Sequence, residues 1–403
     1  MKTTITTATT ADISFRLEWN SSAGHHTEVY EAQKVDFWRD LMPDQIRDAI
    51  LERTQGDRVE IPVRDGDIFP DFDPKQNFHV KRRQFRDGTH GIVVNPRVGR
   101  YYPRGLLRDI PGIYPQNIIP FRLVDIQNGS LTVDFNHPLA GRTIDLTAII
   151  RSVENKSVER GGTMRDWSEI LASGPGMQGR WQDKQTDYLS DHPFERQDET
   201  PDAAFYDRPR LVQHLDATAR SHVSDLYGRL LPPTASVLDL MSSWVSHLPE
   251  NLQVEQLVGL GMNAEELANN ERLTHRRVQD LNEYPKLPFS TERFDAVICT
   301  VSVEYLTRPQ EVFDELSRVL RPGGIAVMVF SNRWFPPKVV RIWTELHEFE
   351  RMGLVMEYFN QTGQFVDIET WSMRGLPRPY DDKYFPELRY SDPVYAVWGR
   401  KYV

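Results

Sequence analysis

Ser236-Val237-Leu238-Asp239-Leu240-Met241-Ser242-Ser243 is an apolar run that carries a single acid and ends in small residues. A strand buried on both faces reads this way, and in an open α/β sheet the turn after the first strand is where a cofactor sits. The pattern continues downstream, with buried runs at residues 254–260, 294–300 and 324–331 separated by helix-compatible sequence. That alternation predicts a parallel sheet with helices on both faces. Residues 309–320 form the clearest amphipathic helix, with Val312, Phe313, Leu316, Val319 and Leu320 on one face, and Arg321-Pro322-Gly323-Gly324 stops it.

Upstream the periodicity changes. Ile13, Phe15, Leu17 and Trp19 alternate as in a half-buried strand, Ser22-Ala23-Gly24 reads as a turn, residues 43–51 as a short helix and residues 58–63 as a strand. Asn128-Gly129 between two apolar runs signals a hairpin, since both residues tolerate positive φ. Residues 12–152 thus read as a β-rich module. Residues 153–230 read as a connection, polar at first, then dense in aromatic and charged residues, with a helix from Leu211 to about Leu230. Residues 231–403 hold the α/β domain.

A chain of 403 residues suits two or three domains. The net charge of −10 argues against a nucleic-acid partner, whose phosphates call for Lys and Arg clusters. No stretch approaches the roughly 18 apolar residues of a membrane span. The single cysteine, Cys299, excludes internal disulfides and cysteine-based metal clusters. A soluble cytoplasmic protein without a metal site is expected.

The segment Val133-Asp134-Phe135-Asn136-His137-Pro138-Leu139-Ala140-Gly141-Arg142 resembles the stretch beside the insert of FKBP-type peptidyl-prolyl isomerases of the SlyD kind. The order of helix, Gly56-Asp57, strand, insert and return strand at 144–153 is similar too. The resemblance implies an FKBP-like fold with an insert. It leaves isomerase activity open, because Asp67-Ile68-Phe69-Pro70 stands where such enzymes carry an aromatic hydroxyl. It also implies a groove near Phe69 and Phe72 for a protein segment, with His137 as a structural residue in its turn.

A second resemblance rests on Val237-Leu238-Asp239-Leu240, Val258-Gly259-Leu260-Gly261-Met262-Asn263, Gln279-Asp280-Leu281, Phe294-Asp295-Ala296-Val297-Ile298 and Arg318-Val319-Leu320-Arg321-Pro322-Gly323-Gly324. In this order they look like a class I S-adenosylmethionine-dependent methyltransferase. The resemblance implies S-adenosylmethionine as cofactor, held by Asp239, Met241, Ser242, Ser243, Gly261, Met262, Asn263, Asp280, Leu281, Thr300 and Val301. Two positions depart from the family. Met241-Ser242-Ser243-Trp244 replaces a glycine-rich turn, and Gly261 stands where an acid usually meets the ribose.

Segments before the first strand often cap the cofactor in such domains, which makes Tyr188, Tyr206, Arg208 and His214 candidates for substrate contact. Candidate catalytic groups are His247, Glu304, Tyr305 and Tyr206, and Trp244 is expected to wall an acceptor pocket. The fold expected is therefore a Rossmann-like methyltransferase sheet preceded by a β-rich FKBP-like domain. The expected activity is methyl transfer to a small-molecule acceptor. A protein methyltransferase recruiting its substrate through the first module, and a non-catalytic folding or assembly factor, are the competing readings.

Overall fold

The computed structural model describes residues 3–63, 66, 68–89, 92–156 and 162–403. Asp67 lies outside the described residues. The alternating apolar run forms β1 (Thr9–Ser21), which turns through Ser22-Ala23 into antiparallel β2 (Gly24–Asp36). Next come α1 (Asp44–Ile50), which buries Ile46 and Ile50, and β3 (Arg58–Ile61). An insert follows, made of β4 (Asn77–Lys81), β5 (Gly88–Thr89), β6 (Ile92–Val93), β7 (Tyr101–Pro103), β8 (Pro120–Gln127) and β9 (Ser130–Asp134), before the chain returns as β10 (Asp145–Asn155). Strands β4, β9, β8 and β7 form their own four-stranded sheet over Phe85, Phe121, Leu123, Leu131 and Val133. Asn128 (φ 47°) and Gly129 (φ 76°) make its hairpin turn with both central residues left-handed, as their types favour.

The connection contains α2 (Trp167–Ala172), α3 (Asp202–Phe205) and α4 (Ala217–Leu230). The helix expected from Leu211 starts only at Ala217, because Asp216 caps it by accepting the Ala219 N–H at 3.0 Å. Leu211 and Val212 lie exposed before that cap.

The remaining elements are β11 (Ser236–Leu240), β12 (Gln256–Gly261), α5 (Ala264–Asn269), β13 (His275–Val278), β14 (Phe294–Thr300), α6 (Pro309–Val319), β15 (Leu320–Phe330), α7 (Arg341–Glu345), α8 (Glu348–Thr362), β16 (Phe365–Arg374) and β17 (Val394–Lys401). Their order across the sheet is β13-β12-β11-β14-β15-β17-β16. The pairs from β13 to β15 are parallel, and β17 is antiparallel to both its neighbours. A helix between β11 and β12 is missing. Residues 241–255 cross over as a loop, which its own side chains pin down, as described below. Helix α8 is buried on nearly every face, charged residues included. It can be so because Arg180 forms a two-pronged pair with Glu357 at 2.7 Å and Glu350 accepts the Tyr101 N–H at 2.9 Å.

The sheet does not end at β16. Strand β2 pairs parallel with it from His25↔Glu369 to Tyr30↔Arg374, so β2, β1, β10 and β3 complete an eleven-stranded sheet. The seam is polar and buried: His26 Nδ1 meets Thr370 Oγ1 at 2.8 Å, and the Ser372 hydroxyl donates to Glu28 at 2.7 Å. Gln178 from the connection donates to the same carboxylate at 2.5 Å. The hydrogen-bond ladder thus runs through the parts expected to be divided at 152 and 230. Among the described residues, no helix is long and apolar enough to cross a membrane, and no His, Cys, Asp and Glu cluster could hold a metal ion.

Candidate active site

Strand order reverses at β11, which has β12 on one side and β14 on the other. Loops diverge at such a point and leave a crevice beyond the strand ends. A cleft partly open to solvent lies there. Met241, Ser242 and Ser243 enter it after β11, Gly261, Met262 and Asn263 after β12, Asp280 and Leu281 after β13, and Thr300, Val301 and Tyr305 after β14. Asp239 and His247 also line it, and Tyr206, Arg210 and His214 reach it from the connection.

Asp239 organises the floor. Its buried carboxylate accepts the Ser242 and Ser246 hydroxyls, each at 2.6 Å, and burial pushes its pKa up to about 6 against those two bonds. Asn270 donates to Ser246 at 2.9 Å and Ser243 to Glu266 at 2.6 Å. These bonds replace the helix that would otherwise follow β11. Met241 and His247 hold left-handed φ values of 54° within the loop, a conformation costly to non-glycine residues and common at functional sites. The close approach that a glycine-rich turn would give is shifted to the neighbouring strand. A Cβ built on Gly261 would run into the Ser242 carbonyl, so no acid can stand there.

Asn263 does not take over from that acid. Its Oδ1 caps α5 by accepting the Glu265 and Glu266 N–H groups at 2.9 and 3.0 Å, and its Nδ2 donates to the Tyr206 and Asp207 carbonyls at 2.9 and 3.0 Å. Every hydrogen-bonding site of its amide nitrogen and oxygen is thereby engaged. The carboxylate on this side is Glu266, which sequence reasoning missed. Its position three residues after a capping Asn, a place where acids favour the helix N-terminus, was the available signal. On the opposite wall Asp280 accepts the Asn282 N–H at 2.8 Å, and burial raises its pKa. Asn282 in turn donates to Asp202 and to the Tyr305 carbonyl, at 2.9 and 3.0 Å. Asp202 is anchored by Arg196 at 2.7 Å and by the wholly buried Lys338 at 3.3 Å, so α3 is held over this end of the cleft.

The catalytic candidates divide. Glu304 is not at the cleft: its side chain is 1% exposed, both oxygens have no hydrogen-bond partner among the described residues, and burial pushes its pKa up to about 8. It sits on a short turn after β14 that faces it inward, away from the cleft lining. Tyr305 lines the cleft, but its hydroxyl accepts the Phe335 N–H at 2.8 Å, and burial drives its pKa well up. Burial raises the Tyr206 pKa as well. His247 is pushed down to about 4, by burial first and by Arg220 and His214 next, so it stands neutral at pH 7. Thr300 shares a 2.6 Å bond with the Tyr227 hydroxyl. Of the expected cap residues, Tyr206 and His214 arrive. Tyr188 is buried against Gly353 of α8, and Arg208 points to solvent, its place taken by Arg210. Trp244 walls the cleft as expected, with Nε1 donating to the Val212 carbonyl at 3.1 Å.

Residues 242–328 match a family model described as a methyltransferase domain. The ubiquinone/menaquinone biosynthesis C-methyltransferase UbiE of Laribacter hongkongensis is 35% identical over 71 residues, 17% of this chain and 28% of that protein. Its counterpart from Roseobacter denitrificans is 37% identical over 70 residues, with the same shares. The chain therefore spans under a third of the length of these curated relatives. Among solved structures, an S-adenosylmethionine-dependent methyltransferase from Mesorhizobium loti aligns with 44% of this chain and 96% of its own at a TM-score of 0.30 and 16% identity, a likeness too low to argue from. The stretch that matches a methyltransferase domain, residues 242–328, thus supplies most of the strand ends around the crevice at β11.

Proposed function

We propose that the chain transfers a methyl group from S-adenosylmethionine to a small-molecule acceptor in the cleft beyond β11, β12 and β14. The observation that carries this reading is the convergence on one cleft of all the expected cofactor residues, from four separate strand ends. The residues fit the cofactor chemically. Glu266 and Asp280 are acceptors for hydroxyl and amino groups, Met262 and Leu281 offer apolar flanks for a ring, and the acids lining the cleft outnumber its one Arg or Lys, Arg210, which favours a sulfonium cation.

When bound, the sulfonium supplies an electrophilic methyl: the acceptor's lone pair forms the new bond as the S–C bond breaks and its electron pair stays on sulfur. The protein's part is positioning and exclusion of water. The bonds of Asp239 fix the floor, and the anchoring of α3 through Asp202 fixes the cover. With His247 neutral and both tyrosines held protonated, no lining side chain stands out as a strong base at pH 7. The acceptor's proton then leaves to water or to neutral His247.

Residues 12–152 are assigned the role of an FKBP-like accessory domain, with isomerase activity doubtful, in a cytoplasmic protein. The succession β1, β2, α1, β3, insert and β10 supports this, as does a small recess of about 70 Å³ lined by Val63, Phe69, Leu139 and Ile144. His137 beside it is structural in character: Nδ1 accepts the Leu139 N–H at 3.1 Å, and Nε2 meets the Ala172 carbonyl at 2.9 Å.

Titration calorimetry with S-adenosylmethionine tests the proposal. Binding is expected, weakened about tenfold by Asp280→Ala. No heat at about 1 mM ligand would leave only a scaffold of transferase shape.

A further inference from the structure

The cleft holds two buried polar atoms without a hydrogen-bond partner among the described residues, Arg210 Nη1 and Gln213 Oε1, three residues apart on the same covering segment. The Arg210 guanidinium is fixed rather than free. It stacks over Phe205, Phe335 and Tyr206 at 4.5, 5.3 and 5.6 Å, and Nη2 donates to the Phe205 carbonyl at 2.9 Å. A desolvated guanidinium nitrogen with nothing to donate to is costly, and an anionic oxygen is its best partner.

Charge is distributed unevenly around it. Glu266 accepts the Arg210 backbone N–H at 2.7 Å and so leaves the guanidinium itself unpaired, and beside it the His214 ring, which meets Phe335 edge-on at 5.3 Å, feels, of the nearby charges, Glu266 first and then Arg210, Arg333 and Lys383. Among the described residues, Arg210 is the one Arg or Lys lining the cleft. Its unpaired guanidinium nitrogen is the place in the cleft where an anionic oxygen gains most.

We infer that the methyl acceptor is a small planar acid, an aromatic or heteroaromatic ring bearing a carboxylate for Arg210 and a hydroxyl or amine for Gln213. This rests on the proposed methyltransferase reading. Phe335 and Trp244 supply the apolar walls for the ring. Arg210 and Gln213 would set which molecules enter and in which orientation, rather than take part in bond making.

The test uses the full chain saturated with S-adenosylhomocysteine, titrated by calorimetry with matched pairs: 4-hydroxybenzoate and 4-hydroxybenzamide, anthranilate and 2-aminobenzamide. The acid of at least one pair should bind about tenfold tighter than its amide, and Arg210→Gln should erase that preference while leaving S-adenosylhomocysteine affinity within about twofold. Arg210→Lys should restore part of it, which separates charge from folding. Equal binding within each pair, or no binding of any acid at about 5 mM, overturns the inference. So does an Arg210→Gln variant that loses the cofactor product and keeps the preference, because Arg210 would then serve the cofactor's own carboxylate. Failure of the underlying reading shows separately, as absence of heat in the first titration.

Discussion

Strand β11 and the turn after its neighbour β14 each carry a buried acid, yet they treat it in opposite ways. Asp239 is bonded to two serines and organises its loop, while Glu304 has no partner among the described residues and stays protonated by burial. A satisfied acid fixes a cofactor floor. An unsatisfied one is a strained element placed behind the wall that closes the cleft.

Breaking the satisfied side should cost most. Asp239→Ala strands two buried hydroxyls and opens a cavity, about 4 kcal/mol together, read as the urea midpoint with S-adenosylmethionine affinity lost in parallel. A stable variant with normal affinity would mean the serines hold the loop unaided. Gly261→Ala forces a Cβ against the Ser242 backbone and should cost about 3 kcal/mol. Installing the acid that the family resemblance implies here, Gly261→Asp, should therefore abolish cofactor binding instead of improving it.

The unsatisfied side is probed by pH. The folded chain holds a proton on Glu304 up to about pH 8, whereas the unfolded chain releases it near 4.5. The stability this contributes is full below 4.5 and is lost as pH rises toward 8. Glu304→Gln should remove that slope, leaving the variant measurably more stable than the parent at pH 9 in thermal melts, with little difference at pH 4. Parallel profiles from pH 4 to 9 would show that Glu304 is paired in solution. The smallest effect is expected at Val301, a β-branched residue held at a φ of 45°. Val301→Gly relieves that conformation and forfeits some packing, for a net change within about 1 kcal/mol, so any larger loss would give its side chain a binding role.

Much of this contrast could be read from residue order. The strand at 236–240, the strand at 294–300 and the amphipathic helix after Pro309 are local patterns, and their ends agree with the structure. The cleft followed from them, since strand ends fix where a ligand lies. What stayed hidden depended on partners distant in sequence. Nothing near Asn263 signals that its amide is consumed by the carbonyls of Tyr206 and Asp207. Glu304 follows a strand as a catalytic acid does, and only the direction of a short turn sends it inward. Strand β13 is exposed throughout and lacks the apolar run by which its neighbours were found. The pairing of β2 with β16 joins residues 344 positions apart and leaves no local trace.

That pairing bears on how the chain comes into being. During synthesis β1 and β2 are complete early, but the strand that covers the outer edge of β2 emerges only after more than 300 further residues. At ordinary elongation rates of about 5–20 residues per second, that interval is roughly 20–70 s. Throughout it the nascent hairpin carries an open edge, with Glu28 and His26 lacking their later partners Ser372, Gln178 and Thr370, a state in which strands add to neighbouring chains. A ribosome-bound chain stopped before residue 365 should therefore be the form most prone to stick to its copies or to need a chaperone.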